Sequence, residues 1–154
     1  MSALGMIAYL VGALIVGGAA TIVMSIFRSV KKHDEFRSWR WMALFALIAA
    51  VGPYVYAEVR TQMNGEGMAD AAAAVFKSAK VNGKVSYYKV MQSDDKVAKI
   101  IVVGKEKTSI NDNESIVIQA TLKRDPKKGW KADTFEIVDS FDRGKDGVTF
   151  PPYW

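Results

Sequence analysis

Hydrophobic and polar positions divide this chain into unequal stretches. From Met1 to Phe27 no side chain is charged, and after a short basic loop a second uncharged run covers Trp41 to Ala57. An α-helix rises about 1.5 Å per residue, so roughly 20 apolar residues cross a hydrocarbon core about 30 Å thick. The first run exceeds that length, and the second, at 17 residues, sits at its lower limit. Both are expected to be membrane-spanning helices. Trp39 and Trp41 at one end of the second run, and Tyr54 and Tyr56 at the other, suit anchoring at the two membrane interfaces. Gly52 and Pro53 lie near its outer end, where the missing proline N–H predicts an irregular last turn or a helix end.

After Asn64-Gly65-Glu66-Gly67 the pattern changes. Met68 to Lys80 carries Ala69, Ala71 to Ala74, Val75, Phe76 and Ala79, a helix-forming composition stopped by Asn82-Gly83. Four segments with β character follow: Val85 to Met91, Val97 to Val103, Ser115 to Leu122 and Trp130 to Val138. Ser93-Asp94-Asp95, Thr108 to Glu114 and Asp125-Pro126-Lys127-Lys128-Gly129 supply the turns, and short connections favour antiparallel neighbours. The second segment is apolar on both faces at its centre, so it is expected in the middle of the sheet. Tyr87, Val97, Ile101, Ile116, Ile118, Leu122, Trp130, Phe135 and Ile137 are the expected core, covered by the Ala-rich helix.

The expected fold class is therefore a membrane-anchored α+β protein. Two transmembrane helices precede a small external domain with one helix and an antiparallel sheet of about four strands. Residues 1–60 form the transmembrane hairpin with a basic loop at 28–40, residues 61–67 a linker, and residues 68–154 the external domain with an aromatic tail.

Charge adds an orientation. In the loop, Arg28, Lys31, Lys32, Arg37 and Arg40 outnumber Asp34 and Glu35, whereas the first 27 residues carry no Lys or Arg and only Arg60 follows the second run closely. The positive-inside rule then places the loop in the cytoplasm and both termini, with the C-terminal domain, on the periplasmic side of an inner (plasma) membrane, or the equivalent side of an organellar inner membrane. The N-terminal run has no basic leader and continues past the small residues Ala19, Ala20 and Thr21, so it is expected to be an uncleaved anchor rather than a signal peptide. A formal net charge of +5 could suggest a nucleic-acid partner, but residues 61–154 intersperse 15 Lys/Arg with 13 Asp/Glu, so none is expected.

Candidate chemistry is sparse. Cysteine is absent, which removes disulfides, thiol nucleophiles and thiolate ligands. His33, the lone histidine, stands beside Asp34 and Glu35 in the basic loop, and a solvated loop explains the three better than a metal site. Asp139, Asp142 and Asp146 lack EF-hand spacing and are interleaved with Arg143 and Lys145, which favours a polar turn. Asn113-Glu114-Ser115 fits the glycosylation pattern and is assigned no role. No nucleophile elbow, phosphate loop or haem-attachment sequence occurs, so no catalytic residue, cofactor or metal is expected, and the chain is read as a non-enzyme.

Interaction surfaces remain. Ala13, Gly17, Thr21 and Ser25 recur every four residues along the first span, and Ala8 with Gly12 forms a parallel small pair. Small residues let helix backbones approach closely in lipid. They serve either the second span as an intrachain partner or the helices of another protein. The C-terminal Phe150-Pro151-Pro152-Tyr153-Trp154 is extended and aromatic. Phe150, Tyr153 and Trp154 are candidate partner-docking residues, with folding back on the sheet or return to the membrane interface as the other readings.

The Lys128-Gly129-Trp130-Lys131 hairpin, followed by Phe135, Ile137 and Val138 behind a helix-plus-sheet pattern, resembles the cytochrome oxidase assembly factor and inner-membrane translocase accessory superfamily over residues 68–140. This chain has two spans where that family has one. The resemblance implies a small α+β domain outside the inner membrane that acts through protein contacts, and it assigns no residue a role. The sequence thus leads to a noncatalytic accessory subunit or assembly factor of a larger integral membrane complex, in contact with the lipid bilayer. The alternative is a membrane-anchored ligand or peptide sensor that signals through a partner chain.

Overall fold

The computed structural model describes residues 3–27, 38–107 and 114–153. The two uncharged runs form helices α1 (Ala3–Phe27) and α2 (Ser38–Asn64), both long and apolar enough to cross a membrane. A helix buried in a soluble core would hide its large apolar side chains. Here Leu4, Ile7, Ile15, Ile22 and Ile26 on α1, and Leu47 and Ile48 on α2, are all more than half exposed. Contrary to expectation, Pro53 does not end α2, which continues eleven residues to Asn64. Proline removes one intrahelical donor, and a helix whose remaining bonds are intact tolerates that loss.

The chain divides into two compact units, residues 2–55 and 56–154, so the last turns of α2 belong with the sheet domain. The segment read as a linker is partly helical, and a short turn at residues 65–67 joins α2 to α3 (Ala69–Ser78).

Among the described residues five antiparallel strands follow in the spatial order of the chain: β1 (Gly83–Ser93), β2 (Val97–Glu106), β3 (Glu114–Asp125), β4 (Gly129–Ser140) and the two-residue β5 (Lys145–Asp146). The sheet is thus one strand larger than expected, because Asp139 and Ser140 pair with Asp146 and Lys145. The Asp139, Asp142 and Asp146 group is a hairpin and its turn, and among the described residues no three His, Cys, Asp or Glu side chains are grouped to hold a metal ion.

Register decides which residues are core. Ile100 pairs with Ala120 and Val90, and Val102 with Ile118 and Tyr88, which puts these residues on one face. That face packs beneath Met68, Ala71, Ala72, Val75 and Phe76, and Ile116 and Leu122 join the same core. The expected Ile116, Ile118 and Leu122 are fully buried there, with Trp130 and Ile137 at the margin. The expected Ile101 is buried too, on the other face of the sheet, and three expectations are corrected. Tyr87 lies on the opposite face and is 36% exposed, Val97 is only partly buried, and Phe135 stays 41% exposed. The Ala-rich helix selects Ala98, Ile100 and Val102 instead, because consecutive strand residues point to opposite faces.

The opposite face has its own cover. Ile101, Val103 and Val117 are buried although α3 lies on the other side, and the chain after β5 returns with Pro151, Pro152 and Tyr153 buried. Gly147 N–H donates to Val138 O at 2.7 Å at the start of this return. At one end of the sheet, the Arg143 guanidinium donates to Lys80 O at 2.9 Å and to Glu106 Oε1 at 3.4 Å, which ties the β4–β5 turn to the end of α3.

Candidate functional site

The first candidate surface is the helix pair. A Cβ built on Gly17 would lie 2.6 Å from Ala46 N and 2.8 Å from Met42 O, so this glycine lets the α2 backbone approach. Ala13, Thr21 and Ala46 are buried around it, and the Thr21 hydroxyl donates to Gly17 O at 2.8 Å, which removes a polar group from the apolar surroundings. Farther along the pair, Tyr9 Oη donates to Ala50 O at 2.7 Å and its ring meets Tyr54 edge-on at 6.1 Å. The stripe is therefore split. Ala13, Gly17 and Thr21 serve α2 of the same chain, whereas Ala8 and Ser25 are exposed and a Cβ on Gly12 would meet nothing within 4 Å.

The second is the junction between α2 and β1, which the sequence reading missed. Side chains of both elements cross it. Val90 N–H donates to Thr61 Oγ1 at 2.8 Å, and the same hydroxyl donates to Ala57 O at 2.7 Å. Arg60 donates to Ser93 O at 3.2 Å, Tyr88 Oη donates to Gly65 O at 3.0 Å, and Lys89 forms an ion pair with Glu58. β1 is an edge strand, and an edge needs cover for its unpaired backbone groups. The end of α2 provides it. The signal was present in the sequence, since no helix breaker stands between Pro53 and Gly65.

The third is the C-terminal turn. Thr149 Oγ1 donates to Pro151 O and accepts from Tyr153 N–H, both at 3.0 Å, which closes the segment into a compact turn with a cis Phe150–Pro151 bond. Tyr153 packs edge-on against Tyr87 at 6.3 Å between ring centres, and burial pushes the Tyr87 phenol above its ordinary value. Of the candidate docking residues, Tyr153 is thus folded onto the chain's own sheet, Phe150 is 70% exposed, and Trp154 lies outside the described residues. His33, Asp34, Glu35 and the basic residues Arg28, Lys31, Lys32 and Arg37 also lie outside them, as does Asn113.

An open cleft of about 470 Å³ lies at the hairpin end of the domain, lined by Asn64, Glu66, Asp94, Asp95, Arg124 and Trp130 among others. Arg124 stands over the Trp130 ring at 5.8 Å. Beside the cleft, Lys127 N–H donates to Asp125 Oδ1 at 2.9 Å, and that bond holds the Asp125 carboxyl below its ordinary range. The lining offers charged and hydrogen-bonding groups, Ser93, Asp94, Asp95 and Arg124 among them. No family model, curated protein or solved structure matches this chain.

Proposed function

We propose that this chain is a noncatalytic accessory subunit or assembly factor of a larger inner-membrane complex. Its two helices anchor it in the bilayer and pack against that complex, and its sheet domain docks a part of the complex outside the membrane. In this reading the basic loop is cytoplasmic, and both termini and the sheet domain are periplasmic, or on the equivalent side of an organellar inner membrane. The positive-inside bias of the loop supports that orientation. The likeness to the oxidase assembly factor and translocase accessory superfamily supports action through protein contacts.

The observation that carries the reading is the α2–β1 junction. Glu58, Arg60, Thr61 and Gly65 bind β1 directly, so the last turns of α2 and the turn after them are part of the sheet domain. A domain that includes the end of an apolar helix suits docking to a neighbouring membrane protein. Mild detergent extraction of the native membrane, native-gel separation and mass spectrometry of the band provide the test. Stoichiometric co-migration with a larger membrane complex is the expected result, and migration as a small independent species with no reproducible crosslinks would sink the reading.

The sensor reading draws on the Arg124 and Trp130 cleft, whose mixed charge could receive a polar ligand or peptide. Ligand-induced hydrogen-exchange protection across residues 85–138 in the absence of any membrane partner would favour it over the subunit.

A further inference from the structure

We infer that the C-terminal turn, with Phe150 at its tip, is a second membrane contact that seats in the lipid headgroup region beside the exit of α2. The inference rests on reading α2 as a membrane span. Glu58 is the first charged residue after the apolar run that ends at Ala57, so it marks where the helix leaves hydrocarbon. From Glu58 a short series of contacts leads to the turn. Glu58 pairs with Lys89, the Lys89 ammonium lies 5.9 Å from the centre of the Tyr87 ring, and Tyr87 packs against Tyr153. Lys89 and Tyr87 share the face of the sheet opposite α3, where Tyr153 packs, so the turn lies on the face whose Lys89 pairs with Glu58.

The turn has the build of an interfacial element. Pro151, Pro152 and Tyr153 are buried against the sheet and Thr149 closes the backbone, so the segment is held rather than loose. Phe150 alone among these residues is strongly exposed, an aromatic side chain presented outward from a fixed base. On α2, on either side of Glu58, Tyr56 is 53% exposed and Arg60 stands 5.2 Å from its ring centre, a pairing of aromatic and cation that suits the headgroup layer. The bilayer is the occupant these contacts favour over a protein groove, because they join the turn to Glu58, where the apolar run of α2 ends.

Site-directed spin labelling tests the inference in the full chain reconstituted in phospholipid nanodiscs, and the cysteine-free sequence makes each label unique. Labels at Phe150→Cys, Lys128→Cys and Leu47→Cys are compared by their collision rates with oxygen, which partitions into lipid, and with a water-soluble nickel chelate. The expected result is an oxygen-to-nickel ratio at residue 150 several-fold above that at residue 128 and below that at residue 47. An aqueous signal at residue 150 with residue 47 in lipid overturns this inference and leaves the membrane reading standing. An aqueous signal at residue 47 overturns both. Should Phe150→Cys disturb the fold, the unmodified chain provides a second measurement: headgroup-labelled nitroxide lipid should broaden the Phe150 amide resonance several-fold more than that of Lys128, and equal broadening refutes the contact.

Discussion

Gly104 shows how much a single position carries. A Cβ there would lie 2.4 Å from Cε2 and 2.5 Å from Cζ of Phe76, so the ring of α3 rests directly on the backbone of β2. Phe76 is 4% exposed and belongs to the core, so its ring is held between α3 and the sheet. Gly104→Val is expected to destabilise the domain by about 1–3 kcal/mol, as overpacking does. Denaturant unfolding measures the loss, and Phe76→Leu in the same chain should recover part of it because the two residues are in contact. If Gly104→Val unfolds at the same denaturant concentration as the parent, the ring does not rest on the β2 backbone.

At the scale of elements, the end of α2 is both the last part of a helix and the cover of an edge strand. Thr61 joins the two roles, since its hydroxyl accepts from the buried Val90 N–H and donates to Ala57 O. Thr61→Val keeps the shape and leaves the Val90 donor unsatisfied, at an expected cost of about 1–3 kcal/mol. Hydrogen exchange should show Val90 losing protection while Ile118, in the centre of the sheet, keeps it. Equal loss at both residues would mean that the junction is no local clamp but part of one indivisible core. The Lys89–Glu58 pair is partly exposed and contributes less to the same junction.

At the scale of the whole molecule, the sheet domain is three layers deep: α3, the sheet, and the returning C-terminal turn. Tyr87 links the last two. Burial raises its phenol above the ordinary value of 10.0, so the folded state holds that proton more tightly than the unfolded chain does. The linked stability is fully present below pH 10 and is lost as pH rises through the raised folded value. The Tyr153 amide, bonded to Thr149 Oγ1, is therefore expected to lose protection in alkali before the α3 core does, and Tyr87→Phe should shift that loss to higher pH. Simultaneous loss of the core and the turn would refute the layered arrangement.

Local pattern was sufficient for much of this architecture. Two uncharged runs, an Ala-rich segment and four β-rich segments between turn residues become α1, α2, α3 and β1 to β4, because helix and strand formation depends on near neighbours and backbone preference. Three decisions lay outside that range. β2 is apolar on both faces, so alternation could not rank Ile100 and Val102 above Ile101 and Val103 until α3 covered one side and the C-terminal turn the other. The hydroxyl of Thr61 reads as an ordinary polar side chain until β1 arrives beside it. Gly17 belongs to a stripe that any helix could use, and only the approach of Ala46 shows which part α2 takes. Each was settled by which distant segment removes a given surface from solvent, and burial of that kind is a property of the assembled chain.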